Sequence, residues 1–388
     1  MASKANGELK VKKDWEIKKL GDVCEIARGG SPRPIKDYIT MDEDGINWIK
    51  IGDTDPSGKL IYTTSEKIKP AGLKKSRYVE AGDFLLSNSM SFGRPYILQT
   101  NGCIHDGWLV LKNYQKSLYL DFFYYLLLSP NVQKQFEIEA KGSTVRNLNT
   151  EIVSNINVSY PPLEEQKRIV KILDEKFAQL ETIKTNAQTN LQNAKDLFQS
   201  QLTRAFSNTT WEKKRLDEVC SRIFAGGDKP QIVSKEISKT CQIPIFANAI
   251  TDDGLYGYTN EATVFDKCLT ISARGTIGFT CIRNKPFVPI VRLLVLIPKD
   301  EINISYLKYG CDTLTITNTG SSIPQLTVPM IKDYKIPLPP LSEQKHIVKE
   351  LDTLSEKVCQ LQEIYTKQIA NCDELKQAYL QKAFEGEL

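Results

Sequence analysis

The chain has 388 residues, of which 41% are hydrophobic and 25% are charged, and its formal net charge is +4. This composition excludes a disordered chain, and the length favours two domains over a single core. No apolar run reaches the roughly 18 residues that a membrane-spanning helix requires, and the Lys-rich start is unlike a secretory signal peptide. The nine cysteines form no Cys-x-x-Cys pair, which indicates reduced thiols and a cytoplasmic protein.

The first part of the chain predicts a short arm followed by a mixed α+β domain. Residues 1–13 are polar and rich in lysine, which is typical of a mobile basic arm. Residues 14–160, called the first head below, alternate short apolar runs with turns that contain Gly, Pro and Asn. The pattern predicts strands at 47–51 and 84–86 and helices at 118–128 and 132–140.

The character of the sequence changes at Pro161-Pro162, where a helical region covering residues 161–207 begins. Residues 163–206 contain neither Gly nor Pro, and their apolar side chains recur at the three- and four-residue spacing of a heptad. Glu164 and Glu165 fall in the first turn, where the helix dipole favours acidic side chains. A helix of this length spans about 66 Å at 1.5 Å per residue.

The second part of the chain repeats this plan. Residues 208–338, called the second head, again alternate strand-like runs and turns, and residues 339–388 form a second helical region. Within it, residues 341–384 lack Gly and Pro and carry another apolar heptad stripe. Gly386 then ends the predicted helix.

The two halves share a long repeated segment. The sequence PPLEEQKRIVKILD at 161–174 returns as PPLSEQKHIVKELD at 339–352. Trp15-Glu16 at the start of the first head is likewise matched by Trp211-Glu212 near the start of the second. A repeat of this length indicates one structural unit that is used twice, for two equivalent tasks at two places.

The repeat and the two helical regions together predict the fold class. We expect an α+β protein with two globular domains, a pseudo-two-fold internal repeat, and two long helices packed as an antiparallel coiled coil. The coiled coil would hold the two heads at a fixed distance. In the alternative, each helix belongs to the core of its own head, but the apolar stripes are longer and narrower than one small domain needs.

The sequence contains no complete catalytic or metal-binding motif. Gly52 to Leu60 resembles a phosphate-binding loop, but its glycines are too far apart and Leu60 stands where Ser or Thr should be. His105 and His346 lack acidic and cysteine residues at the spacing of a metal site. The Pro-Pro-Leu segments lack the polar and aromatic residues of the amino-methyltransferase loop. We therefore expect no active site, no metal and no cofactor bound by this chain.

The repeated Pro-Pro-Leu-x-Glu-Gln-Lys-x-Ile-Val-Lys-x-Leu-Asp motif, its spacing and the paired heads resemble the DNA specificity subunits of type I restriction-modification systems. The resemblance covers about residues 15–384. It implies two target-recognition domains, each reading one half of a bipartite site in double-stranded DNA. The helical regions would set the gap between the halves and dock the modification (methyltransferase) subunits, of which two are expected. Methyl transfer and cleavage would belong to those subunits and to a restriction subunit, with S-adenosylmethionine, ATP and magnesium bound there.

Each head carries two polar, glycine-punctuated loops at corresponding places, and the resemblance implies that such loops face the DNA. Arg, Asn and Gln side chains read purine edges, whereas Ser and Thr hydroxyls suit phosphates. The predicted DNA-binding residues are Asn88, Ser89, Arg94, Ser143, Thr144, Arg146, Asn147, Arg274, Thr276, Ser321, Ser322 and Gln325. Alternatively, any one of these residues could be an ordinary turn residue or surface charge without contact to DNA.

The loops of the two heads differ in sequence, with Asn88-Ser89 opposite Ala273-Arg274 and Arg146-Asn147 opposite Pro324-Gln325. The predicted target therefore has two unlike half-sites, about two turns of B-DNA apart. The small net charge predicts modest, salt-dependent affinity without partner subunits. One rival is a coiled-coil adaptor whose heads bind proteins, which leaves the polar loops unexplained. Another is a self-contained nuclease, which would need a carboxylate–lysine cluster that the sequence does not show.

Overall fold

The computed structural model describes residues 14–55, 58–88, 92–112, 114–140, 147–207, 210–316 and 325–388. It divides into two compact units. The first unit comprises Met1–Asn186 with Lys367–Leu388, and the second comprises Ala187–Thr366. Each unit thus combines one head with one end of each long helix.

The first head contains the strands and short helices that its sequence pattern predicts. Its strands are β1 (Glu16–Lys19), β2 (Glu25–Arg28), β3 (Ile39–Thr40), β4 (Ile46–Ile49), β5 (Leu60–Ile61), β6 (Glu66–Ile68), β7 (Arg77–Val79), β8 (Phe84–Ser87), β9 (Pro95–Leu98), β10 (Gly102–Ile104), β11 (Trp108–Lys112) and β12 (Asn157–Tyr160). Its helices are α1 (Leu20–Val23), α2 (Leu120–Leu128), α3 (Pro130–Ala140) and α4 (Thr150–Ser154). The four elements predicted from sequence correspond to β4, β8, α2 and α3.

Among the described residues, the strands of the first head form three sheets. β1 pairs with β12, and the two larger sheets have the orders β3-β6-β4-β10-β7 and β2-β11-β8-β9-β5. In the last sheet, β11 lies between β2 and β8 and is antiparallel to both, so that Leu109 is paired with Arg28 on one side and Leu86 on the other. The carboxyl ends of β2 and β8 therefore meet the start of β11 at one edge of the sheet.

This sheet is buried on both faces. Along β8, Phe84 and Leu86 belong to the large core that includes α2, whereas Leu85 belongs to a second cluster with Trp108 and Val110. Successive side chains of a strand point to opposite faces, so cover on both faces explains the unbroken apolar run of β8. Each such side chain contributes about 1.5–3 kcal/mol to stability by its burial.

The second head follows the same plan after the long helix α5 (Leu163–Phe206). Its strands are β13 (Lys213–Arg215), β14 (Cys220–Ala225), β15 (Ile243–Phe246), β16 (Leu255–Thr259), β17 (Cys268–Ile271), β18 (Thr280–Arg283), β19 (Val288–Pro289), β20 (Leu294–Pro298) and β21 (Lys335–Pro337). Its helices are α6 (Leu216–Val219), α7 (Ile304–Asp312) and α8 (Val328–Asp333), followed by the long helix α9 (Leu341–Glu385).

The sheets of the second head follow the plan of the first with fewer strands. β13 pairs with β21, and the larger sheets have the orders β14-β20-β17-β18 and β16-β15-β19. β20 lies between β14 and β17, and Leu294 at its start is paired with Ala225 and Ile271 at their ends. The strand ends that meet at one edge of the first head therefore have counterparts in the second.

The ends of α5 and α9 complete the cores of both units. In the first unit, the core includes six side chains from the two helices: Ile169, Val170, Leu173, Leu380, Ala383 and Phe384. In the second unit, one cluster joins five side chains from the other ends of the helices: Leu202, Phe206, Ile347, Val348 and Leu351. Each core therefore contains side chains from both long helices and not only from the helix that follows its own head.

The two long helices run in opposite directions where they pack together in the first unit. In the first unit, Arg168 Nη2 donates to the Leu388 carbonyl oxygen at 2.6 Å, and Lys184 Nζ lies 2.6 Å from Asp373 Oδ1. From the first of these contacts to the second, the residue number rises from 168 to 184 in α5, while the number of the partner residue falls from 388 to 373. The antiparallel packing predicted from the apolar stripes is therefore confirmed.

The glutamine of the repeated motif joins each helix to its head. Gln166 is fully buried, its Oε1 accepts from the Tyr119 N–H at 2.8 Å, and its Nε2 donates to the Ser117 and Pro161 carbonyl oxygens. Gln344 makes the same set of bonds in the second unit, with its Oε1 accepting from the Asn303 N–H at 2.8 Å. The motif therefore fixes the start of each helix to the loop before a short helix of the head.

Candidate nucleic-acid interface

In the first head, a pair of backbone hydrogen bonds closes the first predicted loop. β8 ends at Ser87, whose N–H donates to the Arg94 carbonyl oxygen at 3.0 Å and whose carbonyl oxygen accepts from the Gly93 N–H at 2.9 Å. Gly93 has a φ of 70°, which favours glycine because a side chain would be strained there. The tip of the loop, residues 89–91, lies outside the described part of the chain.

The second head has the same frame at the corresponding place. The Ser272 N–H donates to the Phe279 carbonyl oxygen at 2.9 Å, and the Ser272 carbonyl oxygen accepts from the Gly278 N–H at 2.9 Å. Gly278 also has a positive φ, of 89°. Ser87 and Ser272 are therefore equivalent positions, so that Asn88 corresponds to Ala273, as the sequence alignment predicts.

The second predicted loop of each head is tied to the first by one backbone hydrogen bond. The Leu148 N–H donates to the Asn88 carbonyl oxygen at 2.9 Å, and the Leu326 N–H donates to the Ala273 carbonyl oxygen at 2.9 Å. Leu148 and Leu326 are both buried, so an apolar side chain anchors the second loop in each case. The bases of the two loops therefore lie side by side in both heads.

Asn88 is buried at the base of the first loop and hydrogen-bonds to a neighbouring turn. Its side chain is 2% exposed, and its Nδ2 donates to the Asp106 carbonyl oxygen at 2.8 Å. Its backbone N–H donates to the Gly107 carbonyl oxygen at 3.0 Å. A buried amide that is bonded in this way positions the backbone around it.

Arg94 lies against the body of the first head. Its guanidinium carbon is 5.5 Å from the centre of the Tyr96 ring, and its Nη2 donates to the Gly58 carbonyl oxygen at 3.4 Å. Its buried Nε has no hydrogen-bond partner among the described residues. Phe279 occupies the equivalent position of the second frame, so this arginine is a feature of one head.

Arg274 and Gln325 connect the two predicted loops of the second head. Arg274 Nη2 donates to Gln325 Oε1 at 3.0 Å, and the buried Arg274 Nε has no partner within the described ranges. Thr276, in the same loop, is exposed. The sequence places Arg274 and Gln325 in corresponding loops, and the fold brings their side chains into contact.

Asn147 lies at the base of the second loop of the first head. Its Oδ1 is buried and finds no hydrogen-bond partner in the described part of the chain, which costs about 1–3 kcal/mol. The remaining predicted residues lie outside the described residues: Ser89, Ser143, Thr144, Arg146, Ser321 and Ser322. DNA contact by each of the twelve residues predicted from sequence stays a prediction.

Sequence analysis missed an arginine cluster beside Asn88. Arg28 Nε donates to the Asp106 carbonyl oxygen at 3.2 Å, and Arg33 Nη2 lies 3.3 Å from the Asp106 carboxylate. Arg77 Nε donates to the Arg28 carbonyl oxygen at 2.7 Å, and all three arginines are exposed. Clustered positive side chains attract polyanions such as nucleic acid. The arginines are distant in sequence and lie on different strands and loops, so no local pattern reveals them.

A cavity of about 670 Å³ opens beside this cluster. Its lining includes Trp48, His105, Asp106 and the ion pair between Lys50 Nζ and Glu66 Oε1, which are 2.9 Å apart. Burial lowers the pKa of His105 below its ordinary value, so the imidazole is neutral at pH 7. The cavity therefore adds an aromatic wall and both signs of charge to the surface near Asp106.

Comparison with known proteins identifies the family. The family model described as the type I restriction modification DNA specificity domain matches residues 12–191 and 208–370, so that each match covers one head and runs into the helix that follows. The chain belongs to this family. The specificity subunit is also 31% identical over 340 residues to a type I specificity subunit of Mycoplasma pneumoniae, covering 87% of this chain and 88% of the relative.

Two solved structures share the fold of this specificity subunit. A chain solved in work on complex assembly and conformational transition of the type I restriction-modification system matches with a TM-score of 0.82 at 22% identity, covering 97% of this chain and 99% of that one. The HsdS subunit of Thermoanaerobacter tengcongensis matches with a TM-score of 0.62 at 22% identity, covering 98% and 99%. The predicted fold class is therefore confirmed.

Within its described residues, the specificity subunit has no group of three or more His, Cys, Asp and Glu side chains placed to hold a metal ion. In the same ranges, none of its helices is both long and apolar enough to cross a bilayer. Its nine cysteines are all free, and Cys359 is exposed.

Proposed function

We propose that this specificity subunit reads an asymmetric, two-part DNA site, one half with each head. The observation that carries the proposal is a backbone frame that occurs twice with different side chains on it. In each head, the loop after a central strand is tied to a second loop, through Asn88 and Leu148 in one and Ala273 and Leu326 in the other. A repeated frame supports two equivalent tasks, and different side chains support two different sequences.

The side chains on the two frames differ in ways that matter for base reading. Asn147 corresponds to Gln325, and both amides suit adenine through its N6 and N7 atoms. Arg94, which corresponds to Phe279, brings a polar group to the first frame only. Because the second frame lacks this group, two unlike half-sites are favoured over a palindrome.

The arginine cluster of the first head supports contact with phosphates. Arg28, Arg33 and Arg77 are exposed and surround the same turn, and arginine binds phosphate oxygens through paired N–H donors. Each phosphate contact releases counterions, so the affinity of the complex for DNA should fall as salt rises. Base contacts then decide which sequence is bound.

The two long helices are assigned the roles of spacer and docking surface. They contain 44 and 45 residues, and the buried Gln166 and Gln344 fix the start of each to its head. Two equivalent junctions of helix and head support the docking of two modification subunits. A restriction subunit would join the same complex.

In this proposal the chain performs no chemistry of its own. Methyl transfer and cleavage belong to the modification and restriction subunits, which would bind S-adenosylmethionine, ATP and magnesium. The complex would act on DNA in the prokaryotic cytoplasm. Membership of the family and the paired, unlike loops support this division of tasks, and they favour it over a coiled-coil adaptor for proteins.

The test is a map of DNA methylation. The subunit is co-expressed with its modification subunit in a host without DNA methylation, and N6-methyladenine is mapped by single-molecule sequencing. We expect one new motif with two unlike halves and a fixed gap. Asn147→Ala should relax one half only and Gln325→Ala the other half only, so that each variant is the control for the other.

Two outcomes would contradict the proposal. The first is the absence of a new motif although the same modification subunit is active with another specificity subunit. This result would contradict DNA recognition by the chain and favour the adaptor. A motif with two identical halves would remove the asymmetry.

A further inference from the structure

A tight turn leads into the central strand of the first head and lies outside the loops predicted from sequence. Residues 105–108 form this turn, called the β11 turn, which is closed by the Trp108 N–H donating to the His105 carbonyl oxygen at 3.1 Å. The Gly29 N–H, just after β2, donates to the Trp108 carbonyl oxygen at 2.9 Å. These hydrogen bonds therefore hold the turn between the carboxyl end of β2 and the start of β11.

The second head has an equivalent turn at residues 290–293, called the β20 turn. The Leu293 N–H donates to the Ile290 carbonyl oxygen at 3.1 Å, and the Gly226 N–H, just after β14, donates to the Leu293 carbonyl oxygen at 2.8 Å. These two hydrogen bonds have the same pattern as those of the β11 turn. Asp106 and Gly107 therefore correspond to Val291 and Arg292.

Each turn is bonded to the loop frame described above. In the first head, the Asn88 side chain and backbone donate directly to the Asp106 and Gly107 carbonyl oxygens. In the second head, Asn248 makes the connection, because its Nδ2 donates to the Val291 carbonyl oxygen at 2.6 Å and its Oδ1 accepts from the Ala273 N–H at 2.7 Å. Both turns thus lie on the same edge of the sheet as the predicted DNA-binding loops.

The backbone of the β20 turn is strained. Val291 has a φ of 53° and Arg292 a φ of 61°, in a region that β-branched and long side chains rarely occupy. Two-residue turns of this kind favour Asn and Gly at these positions. Both side chains are exposed, and the Arg292 guanidinium makes no hydrogen bond or ion pair with any described residue. Strained positions of this kind cluster at functional sites.

The β11 turn presents the opposite charge. The Asp106 side chain is 44% exposed, and its Oδ1 accepts from Ser31 Oγ at 2.7 Å. This hydrogen bond holds the pKa of the Asp106 carboxyl below its ordinary value, so Asp106 is ionised at neutral pH. A carboxylate is repelled by phosphates, but its oxygens accept hydrogen bonds from the amino groups of bases. Arg28 and Arg33 beside it offset the repulsion.

We propose that the β11 and β20 turns are a third base-reading element in each head, with Asp106 accepting from a cytosine amino group and Arg292 donating to a guanine. This inference rests on the proposed reading of DNA by the two heads, and it names which side chain reads which base. Aspartate accepts from cytosine N4, and arginine donates to guanine O6 and N7, in the major groove. The half-sites would differ here because the two turns carry opposite charges.

The test for Asp106 compares methylation maps of the wild-type complex and of the variant Asp106→Asn, which keeps the shape and removes the charge. We expect one cytosine position of one half-site to lose its specificity, while the other half-site stays unchanged. Duplexes changed at that position should lose roughly 5- to 150-fold in affinity for the wild-type complex, and much less for the variant. Asp22→Asn, at an exposed position of α1, is the matched control and should leave the motif unchanged.

The test for Arg292 follows the same design in the second head. Arg292→Gln should relax one guanine position of the half-site that Gln325→Ala affects. Lys335→Gln removes a positive charge from an exposed position on β21 and should leave the motif unchanged. If a variant loses methylation altogether, binding of the purified complex to duplexes changed one position at a time decides the question, and a profile without a flattened position would overturn the inference.

The outcomes separate this inference from the proposed function. If the wild-type complex produces no bipartite motif, both the proposed function and the role of the turns are contradicted. A wild-type complex with such a motif, together with Asp106→Asn and Arg292→Gln variants whose motifs are unchanged at every position, overturns the role of the turns and leaves the reading of DNA by the heads intact.

Discussion

The Tyr125 hydroxyl donates a hydrogen bond to Asp174 Oδ1 at 2.5 Å, and so joins α2 of the first head to α5. The same bond occurs in the second unit, where the Tyr309 hydroxyl donates to Asp352 Oδ1 at 2.6 Å. Burial raises the pKa of Tyr125, and the hydrogen bond to Asp174 raises it further, so the hydroxyl keeps its proton. The aspartate that ends each copy of the repeated motif therefore secures a helix to its head.

Loss of this hydrogen bond should lower stability. We expect Tyr125→Phe to reduce the free energy of unfolding by about 1.5 kcal/mol, since a hydrogen bond to a charged group is lost. Urea unfolding followed by tryptophan fluorescence measures the change. Tyr124→Phe is the matched control, because the Tyr124 hydroxyl has no hydrogen-bond partner within the described ranges; an equal loss in both variants would contradict the assignment.

Replacement of the buried glutamine should have a larger effect. Gln166→Leu would leave the Tyr119 N–H and the Ser117 and Pro161 carbonyl oxygens unpaired, at about 1–3 kcal/mol for each buried group. We expect a clear fall in the melting temperature and in soluble yield. Gln179→Leu, at an exposed position of the same helix, should leave both nearly unchanged. Equal behaviour of the two variants would show that Gln166 is not a structural clamp.

Two adjacent glycines allow a sharp test of the β20 turn. A Cβ at Gly226 would lie 2.6 Å from the backbone of Pro289, whereas a Cβ at Gly227 would meet no atom within 4 Å. We expect Gly226→Ala to lower the free energy of unfolding by about 1–3 kcal/mol, as is usual for overpacking, and Gly227→Ala to change it little. A stable Gly226→Ala variant with an unchanged methylation motif would show that the turn tolerates displacement.

The pH dependence of stability should depend on His105. Since burial lowers the pKa of folded His105, the unfolded chain binds the proton more readily, and stability should fall as the pH drops below the unfolded pKa of about 6.5. The loss should level off below the folded pKa. His105→Gln should flatten the stability curve between pH 7 and about 5.5, before the carboxylates titrate. His346→Gln, at a position where the side chain is 60% exposed, is the control variant.

We expect one cysteine to react much faster with thiol reagents than the others. Burial raises the pKa of Cys24, Cys220 and Cys268 to about 12, so these thiols are protonated and shielded at pH 8. Cys359 is exposed. We expect one rapid equivalent of reaction with a thiol reagent in the native protein and nine after unfolding. Cys359→Ser should remove the rapid equivalent; several rapid thiols in that variant would contradict the burial of the seven buried cysteines, since Cys281 alone is half-buried.

The repeated motif shows how far a local pattern can be interpreted. The absence of Gly and Pro and the heptad spacing predict the first helix at 163–206, and α5 spans Leu163–Phe206. The repeat also predicts that both heads share one plan. The sequence does not reveal why the motif contains a glutamine, because the partners of Gln166 lie in residues 117–119 and at Pro161.

The candidate site was found from sequence only in part. The correspondence of Asn147 with Gln325 was visible, since both follow polar, glycine-containing loops. The sequence does not show that Arg28, Arg77 and Asp106 lie close together, because their proximity depends on the pairing of strands that are far apart in the chain.

The long helices, the internal repeat and the family can be predicted from sequence, because they depend on the order and spacing of residues along the chain. In contrast, the long-range packing of the chain controls which side chains share a surface, which hold the backbone in place and which remain exposed. Antiparallel pairing of β11 with β2 and β8 brings three distant segments to one edge of a sheet. That placement is set by the register of long-range hydrogen bonds and by burial on both faces of the sheet, and no local pattern encodes it.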